Sequence, residues 1–198
     1  MNTPEALAHL RLETNIAQLI DRIELPDHQP SGAVYFDLLE SIVSQQLSVK
    51  AATTIFNRFL DLFEDRYPHP EQVTNLEIPV LRGVGLSNQK AQYLQNVATF
   101  ALEHQWEQRD WHTMSDDDII AHLTQIKGVG KWTVQMVLMF TLHRPDIFPV
   151  DDLGIQQGVA RMFNLDEKSK DLKKQMEQLS APWKPYRTLA CRYIWRSR

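Results

Sequence analysis

Two acidic residues and a glycine-rich turn are the parts of this sequence whose types and spacing could do chemistry. Asp151 and Asp152 follow the step Phe-Pro-Val and precede an apolar helical stretch. A carboxylate at that position can cap the helix or act as a catalytic group. About twenty residues earlier, the segment IKGVGKW at 126–132 places Gly128 and Gly130 between two predicted helices. The residues alone favour the helix cap over the catalytic group.

The turn containing Gly128 and Gly130 could bind a phosphate. Glycine lacks a Cβ, so it permits positive φ and close approach of another molecule. The first N–H groups of the following helix have no intrahelical partners, and Lys131 would add positive charge. The alternative is an ordinary turn between two helices, where glycine is also common. A near copy, LRGVGLS at 81–87, is expected to be a structural turn that opens the helix bearing Lys90.

The elements that must position these groups are helical almost throughout. Ser48 and Ser115 are predicted N-caps, and Asp118 completes a capping box three residues after Ser115. Predicted helices with apolar residues at helical spacing cover an N-terminal stretch from Thr3 to Ile23 and the ranges 33–45, 48–63, 87–104, 115–126 and 131–142. The last range is apolar nearly all round, which is typical of a buried helix. Because no long alternating stretch occurs, the sequence predicts an all-α fold.

Composition and charge restrict the classes of partner. The chain has 198 residues and no apolar run long enough to cross a bilayer, so we expect no membrane partner. Cys191 is its only cysteine, which excludes an intrachain disulfide and a cysteine-based zinc or iron–sulfur site. The net charge of −4 argues mildly against nucleic acid. Residues 181–198, however, carry five basic residues, four aromatic ones and no acid, which favours a packed helix with a basic face over a solvated tail.

Several segments, taken together in their order, resemble the helix-hairpin-helix (HhH-GPD) DNA glycosylases, whose hairpin is followed by a Gly/Pro-rich loop and an essential aspartate. Within that superfamily the chain is most similar to the alkyl-purine branch, the 3-methyladenine DNA glycosylase II type. The segments that carry the resemblance are SIVSQQLSVKAA (41–52), LRGVGLSNQKAQYL (81–94), LTQIKGVGKWT (123–133), FPVDDLGIQ (148–156) and the shorter WKPYR (183–187).

The resemblance implies two all-α subdomains with a DNA-binding cleft between them. A central bundle of 34–146 would carry the helix-hairpin-helix at about 119–142, and the second subdomain would combine 1–33 with 147–198. The partner implied is double-stranded DNA that contains damaged bases. We expect a monomer without a cofactor. Its location would be the cytoplasm, with the nucleoid, in a bacterium and the nucleus in a eukaryote.

The resemblance also implies a monofunctional glycosylase that flips alkylated purines of the 3-methyladenine and 7-methylguanine type and removes them by hydrolysis. Asp152 would be the catalytic carboxylate, because the Leu-Gly-Ile after it matches that side of the motif; Asp151 is the rival. Members that also cleave the strand carry a lysine where this chain has Trp132. Lys131 does not replace it, since neighbouring helix positions differ by about 100°. We therefore expect no lyase activity.

Further site residues are implied on three segments. Trp132 and Trp195 would form walls of the base pocket, where an aromatic face attracts a cationic base; packing in the core is the alternative. Met136 stands where members of the branch place another pocket aromatic, which leaves the substrate range open. Gln45 and Gln46 would probe or fill the gap left by the flipped base, unless they form an ordinary polar helix end.

A monovalent cation is the only metal that the resemblance implies. In some members it is bound by hairpin carbonyls, which here would belong to Thr124, Ile126 and Val129. Three other functions remain open from the sequence. These are a non-catalytic helix-hairpin-helix DNA-binding module, a glycosylase for another damaged purine, and a helical scaffold without a nucleic-acid role.

Overall fold

The computed structural model describes residues 2–197, and its regular structure is helical, with no β-strand among those residues. The α-helices are α1 (Pro4–Leu10), α2 (Thr14–Arg22), α3 (Val34–Ser44), α4 (Val49–Leu60), α5 (Pro70–Asn75), α6 (Ile78–Gly83), α7 (Asn88–Glu103), α8 (Asp116–Leu123), α9 (Lys131–Met136), α10 (Leu153–Phe163), α11 (Leu172–Ser180) and α12 (Arg187–Arg196). The predicted all-α fold is therefore confirmed. Within residues 2–197, no helix combines the length and apolar character needed to cross a bilayer.

One compact unit comprises Ser31–Val137 and is organised around α7. Helices α3, α5 and α6 pack against α7, α4 packs against α3, and α8 packs against α9. The residues of α7 predicted to face the core are all buried: Ala91, Leu94, Val97, Ala98 and Ala101. Helix α7 is thus the scaffold to which the glycine-rich turns of this unit are attached.

The other unit combines Met1–Pro30 with Leu138–Arg198. Helix α10 packs against α11 and α12, α12 packs against α2, and α1 packs against α2. Gly158 makes the contact between α10 and α12 possible, because a Cβ there would lie 2.2 Å from Cγ2 of Ile194. This close packing fixes α12 against the middle of α10.

The second boundary between the units lies after Val137, whereas the sequence places it after residue 146. Side chains of the second unit hold the intervening segment. The Oγ1 of Thr188 donates to the carbonyl of Arg144 and accepts from the N–H of Ile147, at 2.7 and 2.9 Å. Arg187 forms a two-bond ion pair with Asp146, at 2.6 and 2.9 Å. These contacts join residues that are more than 40 positions apart, so the sequence pattern does not reveal them.

Two predicted helices are not continuous α-helices in the structure. The N-terminal stretch is interrupted between α1 and α2, where the Glu13 carboxylate caps α2 by accepting from the N–H of Ile16 at 2.7 Å. The predicted buried helix at 131–142 is α-helical only in α9 and continues as a π-helical turn at Val137–Thr141. The N-caps predicted at Ser48 and Ser115 are both formed, since each hydroxyl accepts a backbone N–H.

The basic C-terminal segment is packed, as its aromatic content predicts. Trp183 is 1% exposed, and six of the ten residues of α12 are buried. Two of its arginines serve the fold: Arg187 pairs with Asp146, and Arg192 donates to the carbonyl of Pro26 at 2.8 Å. The basic residues of this segment are therefore partly neutralised or engaged within the unit.

Candidate functional site

The glycine-rich hairpin lies between α8 and α9. Helix α8 ends at Leu123, three residues before the predicted end at Ile126, and α9 begins at Lys131 as predicted. The N–H of Val129 donates to the carbonyl of Ile126 at 3.0 Å, and both side chains are buried. The amide of Asn96 in α7 donates to the carbonyl of Lys127 at 3.1 Å. The hairpin is thus anchored to its own unit by apolar side chains and by α7.

Gly128 cannot be replaced without disturbing this anchor. Its φ is +108°, in the left-handed region that favours glycine. A Cβ there would also lie 2.3–2.6 Å from ring carbons of Tyr93. Gly128 is therefore required for the fold, because its backbone packs directly on an aromatic ring.

Gly130 differs from Gly128. It is the N-cap residue of α9, with φ −92° and ψ 166°, a conformation open to any residue. No described atom lies within 4 Å of where its Cβ would be, apart from its chain neighbours, and no described side chain caps α9. Packing within residues 2–197 thus gives no reason for glycine at this position, while Lys131 beside it is exposed.

The side chains of α9 divide between core and surface. Trp132 is 41% exposed, so the alternative that it fills the core does not hold. Met136, one helical turn later, is half-buried, whereas Thr133, Val134 and Gln135 are buried. Residues four apart lie on the same helix face. Trp132 and Met136 can therefore form one continuous apolar surface on α9.

The Asp152 carboxylate lies in the unit formed by Met1–Pro30 and Leu138–Arg198, and two donors of that unit hold it. Its Oδ1 accepts the N–H of Ile155 and the indole Nε1–H of Trp195, each at 2.8 Å. Asp152 is accordingly the N-cap of α10, as the simplest interpretation of the sequence requires. Capping needs only the bond to Ile155, so the hydrogen bond from Trp195 of α12 is additional. Both Asp152 and Trp195 are half-buried, and the Asp152 charge, after burial itself, raises the pKa of the nearby Cys191 thiol.

Asp151 has a different environment. Its side chain is 49% exposed, and its Oδ1 accepts from Nζ of Lys173 at 2.6 Å. An exposed ion pair of this kind contributes about 0–1 kcal/mol. The two adjacent carboxylates are therefore distinguished by their partners: an indole and a helix N-terminus for Asp152, and a surface lysine for Asp151.

An open cavity of about 350 Å³ lies beside Trp195 in the same unit. Phe140 forms one wall, with its ring centroid 5.9 Å from that of Trp195. His28 forms another and interacts through Nε2 with the carbonyl of Phe140 at 2.8 Å. Asp27 and Arg196 also line the cavity, so its charge is mixed. The sequence does not point to His28 or Phe140, because neither belongs to a recognisable motif.

The turn between α3 and α4 carries Gln45 and Gln46. Gln45 is half-buried, while Gln46 is exposed and has φ +58°. The Nζ of Lys90 donates to the carbonyls of Val43 and Gln45, at 2.7 and 2.6 Å. Leu47 is 39% exposed at the end of the turn. Gln45 is thus the C-cap residue of α3, and Gln46 follows it in a turn that Lys90 of α7 contacts.

The carbonyls implied in cation binding belong to the hairpin. That of Ile126 already accepts the N–H of Val129, while Thr124 is the C-cap residue of α8 and its hydroxyl donates to the carbonyl of Ile120. Within residues 2–197, no group of three or more His, Cys, Asp or Glu side chains could hold a metal ion. Cation binding by the hairpin carbonyls stays a prediction.

Comparison with protein families identifies a match over residues 39–185 to the HhH-GPD superfamily of base excision DNA repair proteins. The match includes both Gly-Val-Gly turns, the hairpin and the Asp151–Asp152 pair. It covers the larger part of the chain.

Individual relatives agree with this match. DNA-3-methyladenine glycosylase 1 of Schizosaccharomyces pombe is 34% identical over 165 residues, covering 82% of this chain and 72% of the relative. The Bacillus subtilis protein YfjP is 37% identical over 172 residues; the match covers 83% of this chain but only 59% of YfjP. Among solved structures, S. pombe 3-methyladenine DNA glycosylase Mag1 in complex with abasic DNA has a TM-score of 0.82 and 31% identity, covering 98% of this chain and 96% of that chain.

Proposed function

The chain belongs to the HhH-GPD superfamily of base excision DNA repair proteins, and we propose that it is a monofunctional DNA glycosylase that excises alkylated purines. The observation that carries the proposal is the Asp152 carboxylate, whose Oδ1 is held by Trp195 and by the N-terminus of α10. The names of the relatives support the lesion class: similar proteins are 3-methyladenine DNA glycosylases.

The proposed reaction needs little acid catalysis. A purine methylated at N3 or N7 carries positive charge and leaves readily as the neutral base. The enzyme first flips the damaged nucleotide out of the duplex. Breaking the N-glycosidic bond then develops positive, oxocarbenium-like charge on the sugar, which the Asp152 carboxylate stabilises. The same carboxylate can orient or deprotonate the attacking water.

Trp195 and Ile155 fix the direction of this carboxylate. With two donors on Oδ1, the Asp152 side chain cannot rotate without losing two hydrogen bonds. A fixed negative charge stabilises a transition state better than a mobile one, because no reorganisation is needed during the reaction. Trp195 thus has two proposed roles: it orients Asp152, and its ring forms a wall of the pocket for the base.

The proposed enzyme lacks lyase activity. A lyase needs an amine that forms a Schiff base with the sugar. The position that carries this lysine in bifunctional members is Trp132, and its partly exposed indole is suited to contact a base rather than to react with a sugar. Lys131 is on a different side of α9. Hydrolysis by water is therefore the proposed route.

Double-stranded DNA that contains a damaged base is the proposed partner. The hairpin would bind a phosphate through backbone N–H groups near Gly130, with Lys131 adding charge and a monovalent cation at the carbonyls of Thr124, Ile126 and Val129 as a further bridge. Gln45 and Gln46 would enter the space left by the flipped base. A monomer suffices for all of these contacts.

The test is to incubate the purified protein with DNA treated with a methylating agent and to identify the released bases by chromatography. We expect 3-methyladenine or 7-methylguanine in the supernatant and an intact strand with abasic sites. Borohydride added during the reaction should trap no protein–DNA adduct. A trapped adduct would contradict the hydrolytic mechanism.

The matched control is Asp152→Asn. Asparagine caps helices about as well as aspartate, so α10 keeps its N-cap. Release of no methylated base above this control would overturn the proposed function. If wild type then still bound DNA, the non-catalytic helix-hairpin-helix module would be the better description.

A further inference from the structure

Lys90 makes a contact that the proposed reaction does not use. Its Nζ donates to two main-chain oxygens, those of Val43 and Gln45, at 2.7 and 2.6 Å. These residues precede Lys90 by more than 40 positions and belong to the C-terminal end of α3. The side chain is half-buried, and burial lowers the pKa of Lys90. Its ammonium group is thus directed into the protein.

The turn at 45–47 depends on this contact. The last carbonyls of a helix have no intrahelical partners, and Lys90 supplies donors to two oxygens at the end of α3. Directly afterwards Gln46 adopts φ +58°, which for a residue other than glycine persists only when its surroundings enforce it.

The turn at 45–47 is closed by one local hydrogen bond, in which the N–H of Leu47 donates to the carbonyl of Ser44 at 3.1 Å. A cavity of about 240 Å³ lies against it, bordered by Gln46, Leu47, Ile55, Gly85 and Lys90. The two hydrogen bonds from Lys90 link this turn to α7. Without them, the exposed Gln46 would lose its fixed orientation.

We propose that Lys90 is a positioning residue, which holds the turn at 45–47 ready to fill the space left by a flipped base. This inference rests on the proposed function, in which Gln45 and Gln46 enter the duplex. Lys90 itself touches no DNA. Lys90 acts through the backbone of the turn. It belongs to α7, the helix that follows the first Gly-Val-Gly segment.

The experiment uses the full chain and needs no catalysis. A duplex carries a tetrahydrofuran abasic analogue opposite 2-aminopurine, whose fluorescence rises when it is unstacked. Wild type, Lys90→Met and Lys90→Arg are titrated with it, and Kd is measured separately by anisotropy. Lys174→Met, on the exposed side of α11, is the control for loss of one positive charge.

For Lys90→Met we expect Kd within about threefold of wild type, because the phosphate contacts remain, and a fluorescence rise reduced about tenfold. Lys90→Met removes two hydrogen bonds made by a charged group, so a reduction of about tenfold is the smallest that we expect. Lys90→Arg should restore the signal, since its guanidinium can donate to the same carbonyls. Lys174→Met should behave as wild type.

Two results would overturn the proposal. One is a full fluorescence rise with Lys90→Met. The other is a loss of fluorescence that only parallels weaker binding, which would make Lys90 an ordinary DNA contact or stabilising residue. If Lys90→Met does not fold, the intermediate variant Lys90→Gln decides by the same criteria. A wild type that excises no base but gives the Lys90-dependent signal would refute the proposed function and leave this inference standing.

Discussion

The two Gly-Val-Gly segments, 83–85 and 128–130, have the same three residues but different backbones. In the first, Gly83 is the last residue of α6 and Gly85 has φ +107°. In the second, Gly128 has φ +108°. Each left-handed glycine is followed three residues later by a new helix, α7 or α9. In backbone terms, therefore, Gly85 corresponds to Gly128.

This correspondence also pairs the helix caps. Ser87 caps α7, and its hydroxyl accepts the N–H of Lys90 at 3.2 Å. The equivalent residue before α9 is Gly130, which has no side chain to accept such a bond. The first turn caps the start of its helix with its own serine, whereas no described side chain caps the start of α9. The two segments thus share three residues but differ in how the next helix is capped, and the proposed phosphate contact concerns the uncapped one.

The largest expected difference is in stability, between the two left-handed glycines. Gly128→Ala combines positive φ with a Cβ that collides with the Tyr93 ring, so we expect a loss of about 2–5 kcal/mol in the free energy of unfolding. Gly85→Ala meets only Ile55, whose Cγ1 would lie 3.1 Å from the new Cβ, and should lose about 1–2 kcal/mol. Urea denaturation measures both. Equal losses would show that the Tyr93 contact is unimportant.

An exchange of caps would test the functional difference. Gly130→Ser gives α9 a capping hydroxyl at a backbone conformation that serine readily adopts, and Ser87→Gly removes the one on α7. Each change should alter stability by only a few tenths of a kcal/mol. Gly130→Ser should weaken DNA binding about threefold to tenfold, the value of one hydrogen bond, while Ser87→Gly should not. Unchanged affinity in both variants, measured by anisotropy, would mean that neither helix start binds DNA.

The smallest expected effect concerns charge. The logarithm of the DNA-binding constant falls linearly with the logarithm of the salt concentration. Lys131→Met should reduce the steepness of this line by about one, because one phosphate contact is lost. Arg82→Met, next to the first turn, should leave that slope unchanged. Titrations at several salt concentrations measure it. A reduced slope for Arg82→Met would place the first turn on DNA as well.

Local features of this fold follow from the sequence. The caps at Ser48 and Ser115 are fixed by residues within three positions of each other, and the apolar spacing of α7 identifies its buried face. The all-α fold and the start of α9 follow in the same way.

Features that depend on contacts between distant residues do not follow from the sequence. The lack of room for a side chain at position 128 comes from Tyr93, 35 residues earlier, and the turn at 45–47 is linked to Lys90 on α7. The resemblance of the chain to glycosylases points to Asp152 and Trp195 separately. Only the structure reveals the hydrogen bond between them, because the two residues are 43 positions apart.

The catalytic role proposed for Asp152 is tested most directly by comparing the two adjacent carboxylates. Single-turnover release of 3-methyladenine from methylated DNA would be measured for wild type, Asp151→Asn and Asp152→Asn. We expect Asp152→Asn to lose at least about a hundredfold in rate, because a fixed charge at the transition state is removed. Asp151→Asn loses only a surface ion pair and should stay within about threefold of wild type. A large loss with Asp151→Asn and near-normal release with Asp152→Asn would contradict the catalytic role proposed for Asp152.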